Sequence, residues 1–304
     1  MTFLKYGKIR VVGHYDNKEV LKYENDKIYI EEKIDGANFR FMISDDKVTF
    51  GSRNLTLQDN SGGNWKRCIT FVKSKLNEVK LSLYNGLIFY GECCVKHSLS
   101  YDWDKIPPYL GFDIKEIETG KYLSYKRKKE IFEELGLELV PLIKECKVKD
   151  LGEELEEDII PISAYPPRGE PEMLAEGIVI KNYERQQFAK FVRQSFREVN
   201  KETFGENKKY VEDDTDKIMV MYCTNPRIDK IIFKLVDDGV KLDMPMMHVL
   251  PNTVWLDIIE EHAYDIMNSR MTIDFRKAKK ILGKRCLRVL SQVIENNALA
   301  EMKK

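Results

Sequence analysis

The amino-acid sequence predicts an α+β body followed by a small all-helical domain. The first two thirds of the chain alternate strand-like and helical segments, whereas the last hundred residues have helical periodicity. At roughly 150 residues per domain, a chain of 304 residues suits two domains. A polar stretch at residues 198–212 marks the boundary, which we place between domains 1–205 and 206–304.

The strands of the body are rich in β-branched and aromatic residues. Asp45 and Asp46 form a predicted turn between the strands at 39–43 and 47–53. The remaining strands are predicted at residues 28–33, 87–94, 109–117, 177–183 and 188–193.

Helices are predicted wherever apolar residues recur every three or four positions. In the body this spacing indicates helices over residues 65–81 and 126–135, the second ending at Gly136. In the last hundred residues it indicates helices over 228–238, 254–268 and 276–300, and prolines lie between or at the start of these segments.

The composition excludes several classes of protein. The chain has 50 basic and 50 acidic residues, so overall charge alone cannot attach it to nucleic acid. No run approaches the ~18 apolar residues that span a bilayer, and the first residues lack the apolar core of a signal peptide. The six cysteines form no CxxC pair. We therefore expect no membrane association, no zinc site and a reducing, cytoplasmic location.

One segment stands out as a candidate site. Lys33 ends a predicted strand, and Asp35-Gly36 makes a turn two residues later. This geometry places the lysine amine at a strand mouth, with backbone N–H groups and a carboxylate close by. Taken alone, the same pattern also fits a solvated hairpin with an incidental lysine.

Five further segments follow in order: Gly51-Ser52-Arg53-Asn54, Phe89-Tyr90-Gly91-Glu92, Gly111-Phe112-Asp113, Glu176 to Lys181, and Phe188 to Arg193. Together with the lysine segment they resemble the six signature motifs of the covalent nucleotidyltransferases, which include polynucleotide ligases and messenger-RNA capping enzymes. The resemblance is closest to the RNA ligases of the phage-type branch that seals nicks in double-stranded RNA. It covers about residues 1–200 and implies an adenylation domain of antiparallel sheets with helices, similar to an ATP-grasp fold.

Three details favour this branch. Asn38 and Phe39 follow the nucleophile segment, residues 96–113 look like the connection to the third motif, and the last motif continues through residues 193–198.

The resemblance implies an ATP-dependent RNA ligase. Lys33 would attack the α-phosphorus of ATP, the AMP would pass to an RNA 5′-phosphate, and a 3′-hydroxyl would displace it. Because lysine must be unprotonated to attack, we expect nearby cations to lower the pKa of Lys33. Arg53, Lys181 and Lys190 are the candidate cations.

The resemblance also assigns the other site residues. Those matched to the nucleotide are Glu32 at the adenine edge, Asn38 near the departing phosphates, Glu92 at the ribose, Phe112 stacked on the base, and Arg53, Lys181 and Lys190 at the phosphates. Those matched to Mg²⁺ or Mn²⁺ are Glu176, with Asp35 and Asp113 as weaker candidates.

The last motif departs from the pattern of many relatives, which have two lysines two residues apart. Here Lys190 is followed by Val192 at that spacing, and Arg193 comes next. On a strand Lys190 and Val192 face the same side and Arg193 the other, so Arg193 does not simply replace the second lysine.

A basic helix is predicted near the end of the chain. Seven cations lie between residues 276 and 288 among apolar residues at helical spacing. They form either a solvated face or a surface that contacts RNA phosphates, for which the candidates are Lys279, Lys280, Lys284 and Arg285.

Two other interpretations stay open. A DNA ligase or a capping guanylyltransferase would usually carry an OB-fold barrel after the last motif, where this chain has helical patterns. An inactive nucleic-acid-binding relative would not need the intact Lys33, Glu92, Glu176 and Lys190.

Overall fold

The computed structural model describes residues 3–58, 62–77, 79–151, 155, 157–193 and 213–302. The chain divides into two compact units, residues 1–193 and 194–304. The predicted domain boundary at 205–206 lies outside the described residues, as does the predicted continuation of the last motif after residue 193.

The first unit is a mixed α+β structure, as predicted. Its described residues contain ten strands and two α-helices. In chain order they are β1 Arg10–Val11, β2 Lys27–Lys33, β3 Ala37–Ser44, β4 Lys47–Ser52, β5 Thr56–Leu57, α1 Asn64–Leu76, β6 Leu87–Cys93, β7 Tyr109–Glu116, α2 Tyr125–Glu134, β8 Leu142–Lys147, β9 Gly177–Asn182 and β10 Gln187–Val192.

The strands form two five-stranded sheets. The first sheet has the order β1-β10-β9-β2-β8 and the second has the order β5-β4-β3-β6-β7. All neighbours pair antiparallel except β1 and β10, which pair parallel. The predicted turn between β3 and β4 is confirmed: Asp45 and Asp46 have φ values of 52° and 57°. Positive φ at both positions matches the right-handed twist of the flanking strands.

Side-chain alternation gives the first sheet one apolar face and one charged face. Ile30, Ile180 and Ala189 belong to a buried apolar cluster on one face. Their strand neighbours therefore project from the other face, which carries Lys33 of β2, Lys181 of β9 and Lys190 of β10. Cross-strand pairing places Val179 between Glu31 and Lys190 in one row, so the predicted orientation of Lys190 agrees with the register.

The second sheet is divided in the same way. Phe39, Phe41 and Phe89 face a large core shared with α1 and α2. Asn38 and Glu92 are opposite each other on β3 and β6 and point away from that core. A smaller cluster joins the two sheets, since it contains Tyr90 and Phe112 of the second sheet together with Phe188 of the first.

The described residues of the second unit are helical, in agreement with the predicted fold class. Its helices are α3 Asp214–Tyr222, α4 Asn225–Asp237, α5 Leu250–Asn268 and α6 Phe275–Met302. They pack around a core of its own that includes Ile231, Ile258 and Leu282. No helix in the described parts of the chain is long and apolar enough to cross a membrane.

Several elements differ from the sequence-based expectation. Helix α1 ends at Leu76 rather than at residue 81, and a separate 3₁₀ turn follows at Leu81–Tyr84. The sequence analysis does not predict β1, β5, β8 or α3. Strand β8 shows no alternation because nearly all of its side chains are exposed, and α3 begins within the predicted polar boundary.

Candidate active site

The site is built around an ion pair between two neighbouring strands. Lys33 is the last residue of β2, and Glu176 immediately precedes β9. Because Lys33 pairs with Gly177 in the ladder, the two side chains meet, and Lys33 Nζ donates a hydrogen bond to Glu176 Oε2. The side chains are 26% and 13% exposed, so the pair lies where a ligand can reach it.

Carboxylates, not cations, set the pKa of Lys33. Burial alone would lower it, but the negative charges of Glu176, Glu92 and Asp35 outweigh burial and raise the pKa above its ordinary value. The expectation that nearby cations lower this pKa is therefore wrong for the protein without nucleotide. Burial raises the pKa of Glu176, against the opposing charges of Lys33 and Lys190, which places Lys190 near the pair.

The turn after Lys33 is fixed against two other segments. The Asp35 carboxylate accepts hydrogen bonds from the backbone N–H groups of Ser98 and Leu99, both at 2.7 Å. A Cβ on Gly36 would lie 2.6 Å from the Cys93 carbonyl oxygen, which is closer than non-bonded atoms approach. Glycine is thus required by the contact with β6, and Asp35 acts here as an anchor for the 98–99 backbone.

Glu92 and Asn38 form the opposite side of the site. Burial raises the pKa of Glu92 to about 8, although the charges of Lys33 and His97 oppose the shift. The Asn38 Oδ1 atom is buried and has no hydrogen-bond partner among the described residues. Such an atom loses its hydration without compensation, so it is available to a ligand that supplies a donor or a cation.

Phe112 and Asp113 lie over a buried charged cluster. Lys181 Nζ contacts Asp113 Oδ2 at 2.8 Å, Glu31 Oε2 at 2.6 Å and the Phe112 carbonyl oxygen at 2.7 Å. Two of the three N–H donors of this ammonium group are used by the Phe112 carbonyl and the Asp113 carboxylate, whereas Glu31 Oε2 lies close but accepts no hydrogen bond of good geometry. Asp113 likewise accepts hydrogen bonds from the hydroxyl of Tyr6 and is fully buried. Lys181 and Asp113 therefore support the Phe112 backbone from within, and their contacts with nucleotide and metal stay predictions.

A family comparison identifies this arrangement. Residues 26–197, more than half of the chain, match the family model described as RNA ligase. The chain belongs to the RNA ligase family. The match spans β2 to β10 and so includes each predicted motif.

Solved structures show the same fold as this RNA ligase family member. The RNA ligase of Naegleria gruberi with PPi superposes with a TM-score of 0.50 at 18% identity, over 64% of this chain and 56% of that chain. A variant of that ligase with ATP and Mn gives a TM-score of 0.51 at 18% identity, over 64% of this chain and 58% of that chain. The chain thus matches little more than half the length of these ligases.

A viral protein is also similar in sequence. The protein Early 65 kDa of Autographa californica nuclear polyhedrosis virus is 24% identical over 140 residues, which is 43% of this chain and 25% of that protein. The matched segment therefore spans a quarter of the viral protein.

Two residues assigned from the RNA ligase motifs have contacts other than Lys33 in this structure. The buried Glu32 carboxylate accepts hydrogen bonds from Ser163 Oγ at 2.6 Å and from the Ala164 N–H at 3.0 Å, and strand alternation points it away from the Lys33 face. Arg53 is half-buried and lies near Tyr122. Burial raises the pKa of Tyr122, and the positive charge of Arg53 opposes this shift. Their predicted contacts with nucleotide stay predictions.

The predicted basic surface of the RNA ligase family member loses one candidate. Lys279, Lys280 and Lys284 of α6 are exposed. Arg285 is half-buried, and its guanidinium donates hydrogen bonds to the carbonyl oxygens of Met219 at 3.1 Å and Cys223 at 2.6 Å. It therefore closes the end of α3, and its assignment as an RNA contact is corrected.

Four residues of the site were missed by the motif analysis. They are the buried partners of the fourth and fifth segments, 111–113 and 176–181: Glu31, Lys128, Tyr6 and Tyr183. Glu31 is adjacent to a recognised motif, but Lys128 lies on α2, outside all six segments. No local pattern marks it, because a lysine on an otherwise charged helix is ordinarily solvated.

Proposed function

We propose that this protein is an ATP-dependent RNA ligase that joins 5′-phosphate and 3′-hydroxyl RNA ends through a lysyl-AMP and an adenylated RNA. The observation that carries the proposal is the meeting of Lys33, Glu176, Glu92 and Asn38 at the mouth of two sheets in a member of the RNA ligase family. RNA repair is the corresponding role. The six free cysteines support a reducing cytoplasmic location.

In the first step Lys33 Nζ attacks the α-phosphorus of ATP and pyrophosphate leaves. The attacking nitrogen must lose a proton, and Glu176 is the group that accepts its hydrogen bond. The same ion pair favours the protonated form of Lys33, because Glu176 raises the pKa of Lys33 more than any other carboxylate does. A cation bound to Glu176 would weaken this ion pair and so lower the pKa of Lys33, and the proton of Lys33 would pass to water before the attack.

The donor set suits a divalent cation that arrives with the triphosphate. No group of three or more metal-ligating side chains occurs among the described residues, which argues against an all-protein cage. Mg²⁺ needs only one or two carboxylates beside phosphate oxygens and water. Glu176 and the unpartnered Asn38 Oδ1 fit that requirement. Such an ion, Mg²⁺ or Mn²⁺, would neutralise charge on the phosphates.

The remaining nucleotide contacts follow from the faces of the two sheets. Phe112 is half-buried at the junction of the sheets and is the proposed platform for the base. Lys190 shares the sheet face of Lys33 and is the proposed α-phosphate contact. The Glu92 carboxyl is the proposed ribose contact.

The second unit is proposed to hold RNA. Its exposed cations Lys279, Lys280 and Lys284 supply a local basic surface on an otherwise neutral chain. The described residues 213–302 contain helices and no strand. This disfavours the OB-fold barrel expected of a DNA ligase or capping enzyme.

The decisive experiment is incubation with α-labelled ATP or GTP and Mg²⁺, followed by denaturing electrophoresis. We expect label on the protein from ATP, and none on Lys33→Ala at equal folded concentration, because Lys33 is the proposed nucleophile. Label on Lys33→Ala would contradict the assigned nucleophile, and an unlabelled wild type would contradict the proposed function.

A further inference from the structure

A balanced set of four buried charges surrounds the Phe112–Asp113 backbone. Lys128 of α2 and Lys181 of β9 face Glu31 of β2 and Asp113 of β7, and none of these side chains is more than 2% exposed. Two positive and two negative charges leave no net charge inside the protein. Lys181 and Asp113 belong to the recognised motifs, whereas Lys128 comes from a helix outside them.

Stability alone is a weak reason for this cluster. A buried ion pair pays a large desolvation penalty, and apolar residues of similar volume are often at least as stable. Burial is in fact the largest influence on Lys128 and lowers its pKa to about 8, although Glu31 opposes the shift. Stability therefore does not by itself account for a lysine at this position.

The second role is visible at a β-bulge. Tyr90 pairs with Asp113 and Gly91 with Gly111, so Phe112 is the extra residue that has no partner across the ladder. Its carbonyl oxygen must be satisfied in another way. Lys128 Nζ and Lys181 Nζ both donate to it, each at 2.7 Å.

The side chain of the next residue, Asp113, is held as well. The Asp113 carboxylate accepts hydrogen bonds from the hydroxyls of Tyr6 and Tyr183, both at 2.6 Å. The bulged peptide is thus fixed by groups from the amino-terminal segment, β9 and α2. The Phe112 ring has less support, since it is half-buried and contacts Tyr6 edge-on with centroids 4.8 Å apart.

We propose that Lys128 is a positioning residue for nucleobase binding, which holds the bulged Phe112 backbone so that the Phe112 ring is presented to the base. The proposal rests on the proposed function, because it takes Phe112 as the platform for the base. Helix α2 lies outside the six motifs, and under this proposal it contributes to ATP affinity through Lys128.

The test compares Lys128→Met with Lys129→Met, since Lys129 is the next residue on α2 and its side chain is 55% exposed. Two quantities are measured: the ATP concentration that half-saturates lysyl-AMP formation, and the competition by ribose 5′-triphosphate, which has no base. For Lys128→Met we expect the ATP value to rise about tenfold, within the range of one base–aromatic stack. Competition by the base-free compound should be unchanged, and Lys129→Met should behave as wild type.

A purely structural role would give another pattern. In folded protein it would weaken ATP and ribose 5′-triphosphate alike, and that result would overturn the proposal. If Lys128→Met does not fold, the double variant Glu31→Gln/Lys128→Met removes one charge of each sign and is read in the same way. Failure of both variants to fold would assign Lys128 to stability alone. Absence of lysyl-AMP from the wild type would instead refute the proposed function.

Discussion

Glu92 is a carboxyl group whose ionisation the fold opposes. Burial raises its pKa to about 8, whereas an exposed glutamate titrates near ~4.3. Between these values the folded protein binds more protons at this group than the unfolded chain does. Stability associated with Glu92 is therefore present at low pH and is lost as the pH rises from ~4.3 toward ~8.

Glu92→Gln should accordingly be a stabilising substitution at alkaline pH. We expect its melting temperature to match the wild type near pH 4.5 and to exceed it increasingly up to pH 8, because glutamine cannot ionise. Each ~1 kcal/mol gained corresponds to ~2–4 °C in a protein of this size class. Differential scanning fluorimetry across this range measures the effect, with Glu118→Gln as an exposed control. A difference that does not change with pH would contradict the raised pKa.

The motif residues could be predicted, whereas their buried partners could not. Lys33, Glu92 and Glu176 lie in ordered segments whose spacing is specific, and Lys33 meets Glu176 in the structure. Lys128 and Tyr6 contact residues 97 and 107 positions away in the chain. Such pairings depend on how α2 and the amino-terminal segment cross the sheets, and local sequence does not encode them.

Helix α6 carries cations of two kinds. Lys279, Lys280 and Lys284 reach solvent, whereas Arg285 satisfies backbone carbonyls at the end of α3. The last carbonyls of a helix have no partner within it. About two turns of α6 thus contain both exposed cations, proposed to contact RNA, and a contact that joins two helices.

Arg285→Met should destabilise the second unit. Loss of this charged donor removes one hydrogen bond from each carbonyl, although the Met219 carbonyl still accepts from the Cys223 N–H. The expected decrease in the free energy of unfolding is ~1–3 kcal/mol. Urea denaturation followed by circular dichroism measures it. Lys284→Met is the matched control and should unfold like the wild type. Equal stability of the two variants would show that the Arg285 contacts contribute nothing.

Replacing Lys279, Lys280 and Lys284 together by glutamine should weaken RNA binding without affecting lysyl-AMP formation. Each lost phosphate contact should flatten the slope of log affinity against log salt by ~0.7–0.9. Fluorescence anisotropy with nicked RNA at several salt concentrations measures the slope. The exposed lysines Lys105 and Lys129 of the first unit, changed to glutamine, form the control. An unchanged slope in the triple variant would show that these three lysines make no contact with RNA phosphates.

Elements with strong periodicity were predicted closely, and exposed or short ones were not. The predicted helix at 126–135 corresponds to α2 at Tyr125–Glu134, and Gly136 has the positive φ of 61° that ends a helix well. Helix α3 begins with a capping box between Asp213 and Asp216. The sequence analysis did not use this pattern, although it is a start signal for a helix.

At the level of the whole molecule, the two units divide the work proposed for the enzyme. Every residue of the candidate active site lies in residues 1–193, and this unit has its own cores. The helical residues 213–302 have a separate core. Chemistry on ATP and retention of RNA are therefore assigned to different units.

A truncated protein ending at residue 211 should still form lysyl-AMP at a rate within a few-fold of the wild type. It should seal nicked RNA poorly, because the basic surface of α6 is missing. Labelling with α-labelled ATP and ligation of a nicked duplex measure the two steps separately. A truncated protein that is folded by circular dichroism but unlabelled would show that adenylation needs the second unit.

Strand β8 has a consequence for how the protein behaves in concentrated solution. It pairs with β2 alone in its sheet, and five of its six residues are exposed, including Leu142 and Ile143. An open strand edge is a template on which another chain can add a strand and begin a fibre. Lys144 and Lys147 interrupt this edge with charge, which repels an identical neighbour. Colloidal solubility, rather than ligation, is thus the property that these two lysines protect.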